Sequence, residues 1–309
     1  MPRQRFPFPA DPDTITELQR PMPATELMVA DLPERQPILD PILSTKSLAL
    51  LYGPRGLGKT FVALGIGWAA ASGGSFLGWR APRPHRVLYI DGEMAAVDMK
   101  ARLRLLGSAP PTLDFVLADL NPNGLPDLGR WDGQRVLWEH WGAAPELLVL
   151  DNLASLVGFR RNDPDCWSEV QRWLMALRRL GVAVLVVHHA NKKGFQRGTN
   201  RREDVLDLVM ALRRPADHEP RDGARLEIHF DKARGLHGEA VDPIDARLVT
   251  DSLGVARWEW RPAYAADIDR AAALLRIGLN PNQIAKELGI SKTKSYRLRQ
   301  RVVERGLVA

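Results

Sequence analysis

The chain has 309 residues, 26% of them charged and 45% hydrophobic, enough to bury one sizeable core and still carry a small appendage. A single cysteine, Cys166, excludes an intramolecular disulfide and a thiolate zinc cluster and fits a reducing compartment. No apolar run approaches the roughly 20 residues of a membrane span, and the N-terminus lacks the apolar stretch of a secretory signal, so a cytoplasmic protein with no membrane partner is expected.

Residues 1 to about 45 are proline-rich, begin MPRQRFPFPADPD and show no sustained periodicity. They read as an extended arm, laid on the core or on a neighbouring subunit. The run SLALLY, Ser47–Tyr52, reads as a buried strand, and Lys59–Ser72 as a helix. Between them lies GPRGLGKT, which satisfies G-x-x-x-x-G-K-[ST] in full. A strand, a glycine loop and a helix N-terminus in that order aim backbone N–H groups at one point, where an anion is stabilised. Gly53, Pro54, Arg55, Gly56, Leu57 and Gly58 therefore form a candidate phosphate cradle, with Phe61 just past it. Lys59 is expected to face solvent when no nucleotide is bound and to reach the outer phosphates of ATP when one is. The Thr60 hydroxyl is expected to take a place on Mg²⁺.

Strands and helices continue to alternate. Further strands are expected at Arg86–Asp91, Asp114–Ala118, Leu147–Asp151 and Val182–Val187, and helices at Ala95–Leu106, Gly133–Trp141 and Pro164–Leu180. Such alternation means βαβ units and a largely parallel sheet. At the C-terminal edge of that sheet Asp151 is placed to hold Mg²⁺ through water. Glu93 lies just beyond its strand, where a carboxylate can accept the proton of an attacking water, while Asp91 falls one step earlier and can fix the turn. Of the adjacent pair His188-His189 only one can face the nucleotide, because neighbouring strand residues point to opposite faces, and a zinc pair is disfavoured for the same reason.

The segment Asn191–Arg202 follows, with Lys192, Lys193, Arg197, Arg201 and Arg202 around two glycines. It reads as a basic loop placed to feel the nucleotide state, and the residues alone are equally consistent with a lid over the nucleotide. Beyond about Asp204 the runs DVLDLVMAL, RLEIHFD, ARLVT and VARWEW look like an antiparallel extension of the sheet. Arg261-Pro262 is then expected to break the chain.

Taken in order, GPRGLGKT, YIDGEM, LLVLDN, VVHHANKKG, RGTNRREDVLDLVMAL and FDKARG resemble the RecA-like ATPases of the plasmid RepA replicative-helicase type, hexameric relatives of the DnaB helicase core. The resemblance covers about Leu32 to Trp260. It implies that Glu93 is the catalytic base and that His189 senses the γ-phosphate. It also matches Lys232-Ala233-Arg234-Gly235 to a K-x-R-x-G element that reaches a neighbouring subunit's ATP site, one residue shorter here before the glycine. The implied assembly is a homo-oligomer, a hexameric ring, with single-stranded DNA held near the Asn191–Arg202 loop.

The last segment carries most of the net charge of +6: residues 263–309 hold nine Lys or Arg against four Asp or Glu, or +5. Concentrated positive charge points to nucleic acid. LNPNQIAKELGISKTKSYRLRQRVVERGLV has helix-turn-helix grammar, preceded by a helix over Ile268–Ile277. Asn280 caps a helix opened by Pro281, with Ile284, Ala285 and Leu288 as its apolar stripe. Gly289 supplies the turn, Ser291 caps the next helix, and Tyr296, Leu298 and Val302 are expected to pack back. That leaves Lys292, Thr293, Lys294 and Arg297 exposed for duplex DNA, with protein docking as the alternative. The ending ERGLVA resembles the start of a wing.

The expected organisation is thus an arm over 1–31, an α/β RecA-like domain over 32–262 with a mostly parallel sheet extended by antiparallel strands, and a small all-α helix-turn-helix domain over 263–309. The expected function is Mg²⁺-dependent ATP hydrolysis coupled to DNA, as a replicative helicase in plasmid or phage replication. Alternatives are a recombination or clamp-loading motor, or an ATP-regulated DNA-binding protein without unwinding activity.

Overall fold

A computed structural model describes residues 20–140, 144–158, 164–190, 204–215, 218–219, 222–252 and 254–308. In chain order these form α1 (Ala24–Val29), β1 (Pro37–Leu39), β2 (Leu43–Ser44), β3 (Leu48–Gly53), α2 (Lys59–Ser72), β4 (Ser75–Phe76), β5 (Trp79–Arg80), β6 (Val87–Asp91), α3 (Ala96–Leu105) and β7 (Leu113–Leu117). There follow α4 (Trp131–His140), β8 (Leu147–Asp151), α5 (Leu153–Leu156), α6 (Pro164–Arg179), β9 (Ala183–His189), β10 (Leu208–Arg213), β11 (Arg225–Ala233), β12 (Ile244–Thr250) and β13 (Ala256–Pro262). Three helices close the chain: α7 (Ala265–Arg276), α8 (Pro281–Glu287) and α9 (Lys292–Glu304).

The central sheet has nine strands in the order β13-β12-β11-β10-β3-β9-β8-β6-β7. From β7 through β10 every pairing is parallel, and from β10 outward to β13 every pairing is antiparallel. β3, β6 and β8 are buried along their whole length, because helices cover both faces. The period-two alternation divides their side chains cleanly. Ala49, Leu51, Val87, Tyr89, Leu147 and Val149 pack with α2 and Met99 of α3. Leu48, Leu50, Leu88, Ile90, Leu148 and Leu150 pack with α4, α5 and α6.

Three expectations about this sheet need correction. β10 pairs parallel with β3, from Leu208 opposite Ala49 to Ala211 opposite Tyr52, so the antiparallel extension begins only at β11. β13 runs two residues past the expected VARWEW and ends at Pro262, the place of the expected break. It is the edge strand, and Pro262 is its last residue, where a missing N–H costs little. Before the glycine loop the chain is also more than an extended arm: α1 is a short helix, and the β1–β2 hairpin sinks Ile38, Leu39, Ile42 and Leu43 into the α2 side of the core. A second hairpin, β4–β5, presses Phe76 so closely on Gly65 of α2 that a Cβ at Gly65 would lie 2.2 Å from its ring.

The three C-terminal helices have a core of their own, Ile268, Ala271, Ala272, Ile284, Leu298 and Val302. Asn280 accepts from the backbone of Asn282 and Gln283, and the Gln283 side chain accepts from the backbone N–H of Asn280, a complete capping box for α8. Ser291 accepts from Lys294 N at the start of α9. Leu298 and Val302 pack inward as expected, but Tyr296 is 51% exposed and does not. No wing strand forms among the described residues: Leu307 folds back so that its N–H donates to Val302 and its carbonyl accepts from Arg276. The helices are tied to the sheet through Asp242, which accepts from the Tyr264 hydroxyl and pairs with Arg301 at 2.7 Å. Arg301 also lies 3.8 Å over the Tyr264 ring. No helix among the described residues is long and apolar enough to cross a membrane.

Candidate nucleotide site

The loop after β3 turns through Gly56 at φ +72° and Gly58 at φ +95°, a region that residues with a Cβ rarely adopt. This turn delivers the chain directly into α2 at Lys59. Contrary to expectation Lys59 does not face solvent: it is 6% exposed, and its ammonium donates to the carbonyls of Gly53 at 3.0 Å and Pro54 at 2.7 Å. Burial lowers its pKa, while the carboxylates of Asp151 and Glu93 partly restore it. The free backbone N–H groups at the start of α2 and this ammonium form a cradle suited to a polyphosphate.

Asp151 ends β8, buried, two strands from Gly53 in the sheet. Its Oδ2 accepts a 2.6 Å hydrogen bond from the Tyr89 hydroxyl of the neighbouring β6, and its carboxyl also accepts from Thr60. Burial pushes the Asp151 carboxyl up to about 6, against the pull of those two hydroxyls and of Lys59. Two adjacent hard oxygen groups, the Thr60 hydroxyl and the Asp151 carboxylate, fit the few protein ligands that Mg²⁺ uses beside phosphate.

Register decides what stands next to them. Asp91 of β6 is directly opposite Asp151 of β8, so residues just past both strand ends converge. Asp91 turns back on its own chain, Oδ1 accepting from Glu93 N at 2.9 Å and Met94 N at 2.6 Å. That is the turn-fixing geometry, and it projects Glu93 outward with a side chain 63% exposed. His189 ends β9 with Nε2 3.6 Å from Glu93 Oε2. Burial lowers the His189 pKa, and Lys59 lowers it further. His188, one residue earlier, is buried and is not among the residues lining the cleft.

Lys59, Thr60, Asp91, Glu93, Asp151 and His189 line one cleft of about 550 Å³, within the size range of small-molecule sites. It also includes residues not anticipated from the sequence. Asn152 donates its amide to Glu93 Oε2 and lies 3.3 Å from His189 Nε2. Arg102 of α3 sits 4.6 Å over the Phe61 ring. Arg214 and His218 arrive from the β10–β11 connection and Arg225 from the first position of β11, where both oxygens of Asp245 hold it. Only Asn152 had a local signal, the D-N-L-A-S run in which it caps α5 by accepting from Ser155 N.

The remaining predicted residues lie elsewhere. Leu208 opposite Ala233 sets Lys232 and Arg234 at the edge where the parallel strands begin, opposite their own glycine loop. There Arg234 donates to Asp204 O at 2.7 Å and Lys232 to the same oxygen at 3.4 Å. Lys192, Lys193, Arg197, Arg201 and Arg202 fall outside the described residues. Lys292, Thr293, Lys294 and Arg297 are exposed on the first turns of α9, with Lys294 paired to Asp267 at 2.8 Å.

A family model described as an AAA domain matches residues 14–194. Among solved structures, the chain is similar to a KaiC-like protein from the hyperthermophilic archaeon Pyrococcus horikoshii OT3, at 14% identity and a TM-score of 0.48 over 72% of this chain and 93% of that one. It is also similar to the flagellar accessory protein FlaH from Methanocaldococcus jannaschii, at 12% identity and a TM-score of 0.46 over 70% and 90% of the two chains. No curated protein matches it.

Proposed function

The chain belongs to the AAA domain family whose model spans residues 14–194, and from that premise we propose that this P-loop ATPase works as an oligomeric, Mg²⁺-dependent motor on DNA, a replicative helicase of the RepA type. The observation that carries the reading is the meeting of Lys59, Thr60, Asp151, Glu93 and His189 at one cleft. In this reading Lys59 leaves the Gly53 and Pro54 carbonyls for the outer phosphates, and Thr60 and Asp151 would hold Mg²⁺, which when bound would neutralise negative charge on the phosphates. Glu93 takes a proton from water, whose oxygen bonds to the γ-phosphorus as the bond to the β–γ bridging oxygen breaks and ADP leaves. His189, whose charged form is disfavoured by burial and by Lys59, orients toward the γ-phosphate.

Support for an assembly comes from Lys232 and Arg234. They stand at the sheet edge opposite their own cleft, so a catalytic role for them would lie in a neighbouring subunit's site. DNA engagement rests on two basic regions, the Lys192–Arg202 segment for single strands and Lys292, Thr293, Lys294 and Arg297 for duplex. In this reading the three-helix unit is a helix-turn-helix domain with α9 as its recognition helix.

The test is phosphate release with and without single- and double-stranded DNA, alongside oligomeric mass and strand displacement from a forked duplex. Stimulation by single strands together with displacement is expected. Turnover and stimulation without displacement would leave a non-unwinding motor; a DNA-independent rate and mass would remove the motor reading altogether.

A further inference from the structure

Glu93, whose side chain is 63% exposed, stands at the end of a strand, and an exposed carboxylate samples many rotamers. A general base needs its oxygen held within hydrogen-bond reach of one water. Asp91 cannot hold that oxygen, since it binds the Glu93 backbone and not its side chain. The group that does is Asn152. It is 4% exposed, and its side-chain oxygen is engaged by the helix it caps. Its Oδ1 accepts from Ser155 N, its carbonyl accepts from the Ser155 hydroxyl at 2.9 Å, and its peptide directly follows the buried Asp151. With Oδ1 committed to the helix cap, Nδ2 has one direction available. It donates to Glu93 Oε2 and passes 3.3 Å from His189 Nε2.

We propose that Asn152 is a positioning residue for hydrolysis: its amide bridges Glu93 and His189 and holds the base carboxylate toward the γ-phosphate end of the cleft. The assignment rests on Glu93 acting as the base in the reading above. It adds that the helix cap and the base share one side chain, so the start of α5 and the catalytic carboxylate move as a unit.

Asn152→Ser separates the two roles. Serine caps helices about as well as asparagine but is too short to reach Glu93. In the full-length protein this variant is expected to keep its thermal midpoint and its affinity for a fluorescent ATP analogue. Its kcat for phosphate release should fall roughly 10- to 100-fold, the scale of a reacting group misplaced by about 1 Å. In a Glu93→Gln background, single-turnover decay should show no further loss from Asn152→Ser, because the group being positioned is already gone. A merely structural role would instead lower the melting point and both rates together. Asn152→Asp, which keeps the cap but sets a like charge against Glu93, should also lose kcat and decides the matter if the serine variant fails to fold. Unchanged or raised kcat in an active wild-type background, or losses that add in the double variant, overturn the assignment alone. A wild-type chain that releases no phosphate overturns the ATPase reading first, and this assignment with it.

Discussion

Lys59 and Pro54 are joined across the glycine loop by a 2.7 Å hydrogen bond from the ammonium to the carbonyl, with the Gly53 carbonyl at 3.0 Å on the other side. The loop therefore holds its own cation in the position a phosphate group would otherwise stabilise. In the proposed reading, nucleotide entry exchanges these two carbonyl hydrogen bonds for bonds to phosphate. Lys59→Ala removes the donor of the Gly53 and Pro54 carbonyls, so it should still fold but with a lowered thermal midpoint, while phosphate release falls by at least about 100-fold, as for loss of one electrostatic stabiliser of a transition state. Binding of a fluorescent ATP analogue should weaken too. Glu93→Gln should differ, since it keeps binding and loses only turnover. Near-wild-type turnover in Glu93→Gln would show that another group takes the proton.

Arg234 and its own cleft lie at opposite edges of the sheet. Arg234→Ala should therefore be inactive alone, with a loss of about 10³-fold or more if the residue acts as a finger in trans. Mixed with Lys59→Ala protein it should regain part of its activity, because some shared sites then combine an intact loop with an intact finger. Phosphate release titrated against the mixing ratio is the measurement. A dilute monomeric Arg234→Ala preparation with full activity would end the trans assignment.

How much of this is legible in the sequence depends on how local each determinant is. The bounds of α2, Lys59–Ser72, and of β8, Leu147–Asp151, match the sequence reading residue for residue. A glycine loop before α2 and a buried apolar run ending in an acid are signals within a few residues. β10 is recognisable as a strand but not as a parallel one, because its partner Ala49 is far away in the chain and nothing near Leu208 encodes it. The β1–β2 hairpin escapes a sequence reading since its strands are too short to show a period. Asn152 escapes it for a related reason. Its reach to Glu93 follows from β6 lying beside β8 with Asp91 opposite Asp151, a register set by the whole sheet. The burial of Lys59 is hidden because its partners are carbonyls of its own loop, which side-chain patterns do not reveal.

Glu146 offers a test of fold energetics away from the cleft. Its Oε1 accepts from Arg83 at 2.7 Å and from His85 Nδ1 at 3.1 Å, and its Oε2 accepts from Arg86 N at 3.0 Å. Partial burial would raise its pKa, but these donors outweigh that and bring it from 4.5 to about 2. Because the folded carboxyl gives up its proton more readily than the unfolded one, its stabilisation is fully present well above 4.5. It is lost as the pH falls toward 2. Glu146→Gln should cost about 1 kcal/mol at pH 7, after allowance for the solvent screening of Arg83. The difference from wild type should shrink as the pH falls from 4.5 toward 2. Urea unfolding across that range measures it, and a constant difference would mean that the ion pair is not the source.

The C-terminal helices pack around Ile268, Ile284, Leu298 and Val302, a core separate from both faces of the sheet. Polar bonds through Asp242 and the Tyr264 ring join them to the rest. Deleting residues from Ala265 onward leaves Tyr264 and its bond to Asp242 in place and opens no apolar cavity in the sheet. Phosphate release should therefore stay within about twofold of the full-length rate, as expected when no core packing is removed. Duplex affinity should drop, and the slope of log Kd against log salt should flatten by roughly one unit for each DNA phosphate that Lys292, Lys294, Arg297 and Arg299 no longer neutralise. Stimulation by single-stranded DNA should survive, since that role is assigned to the Lys192–Arg202 segment. Fluorescence anisotropy on labelled duplex and single strand, paired with phosphate release, separates these outcomes. Unchanged duplex affinity after truncation would reassign α9 to a protein partner and leave the basic segment to carry all DNA binding.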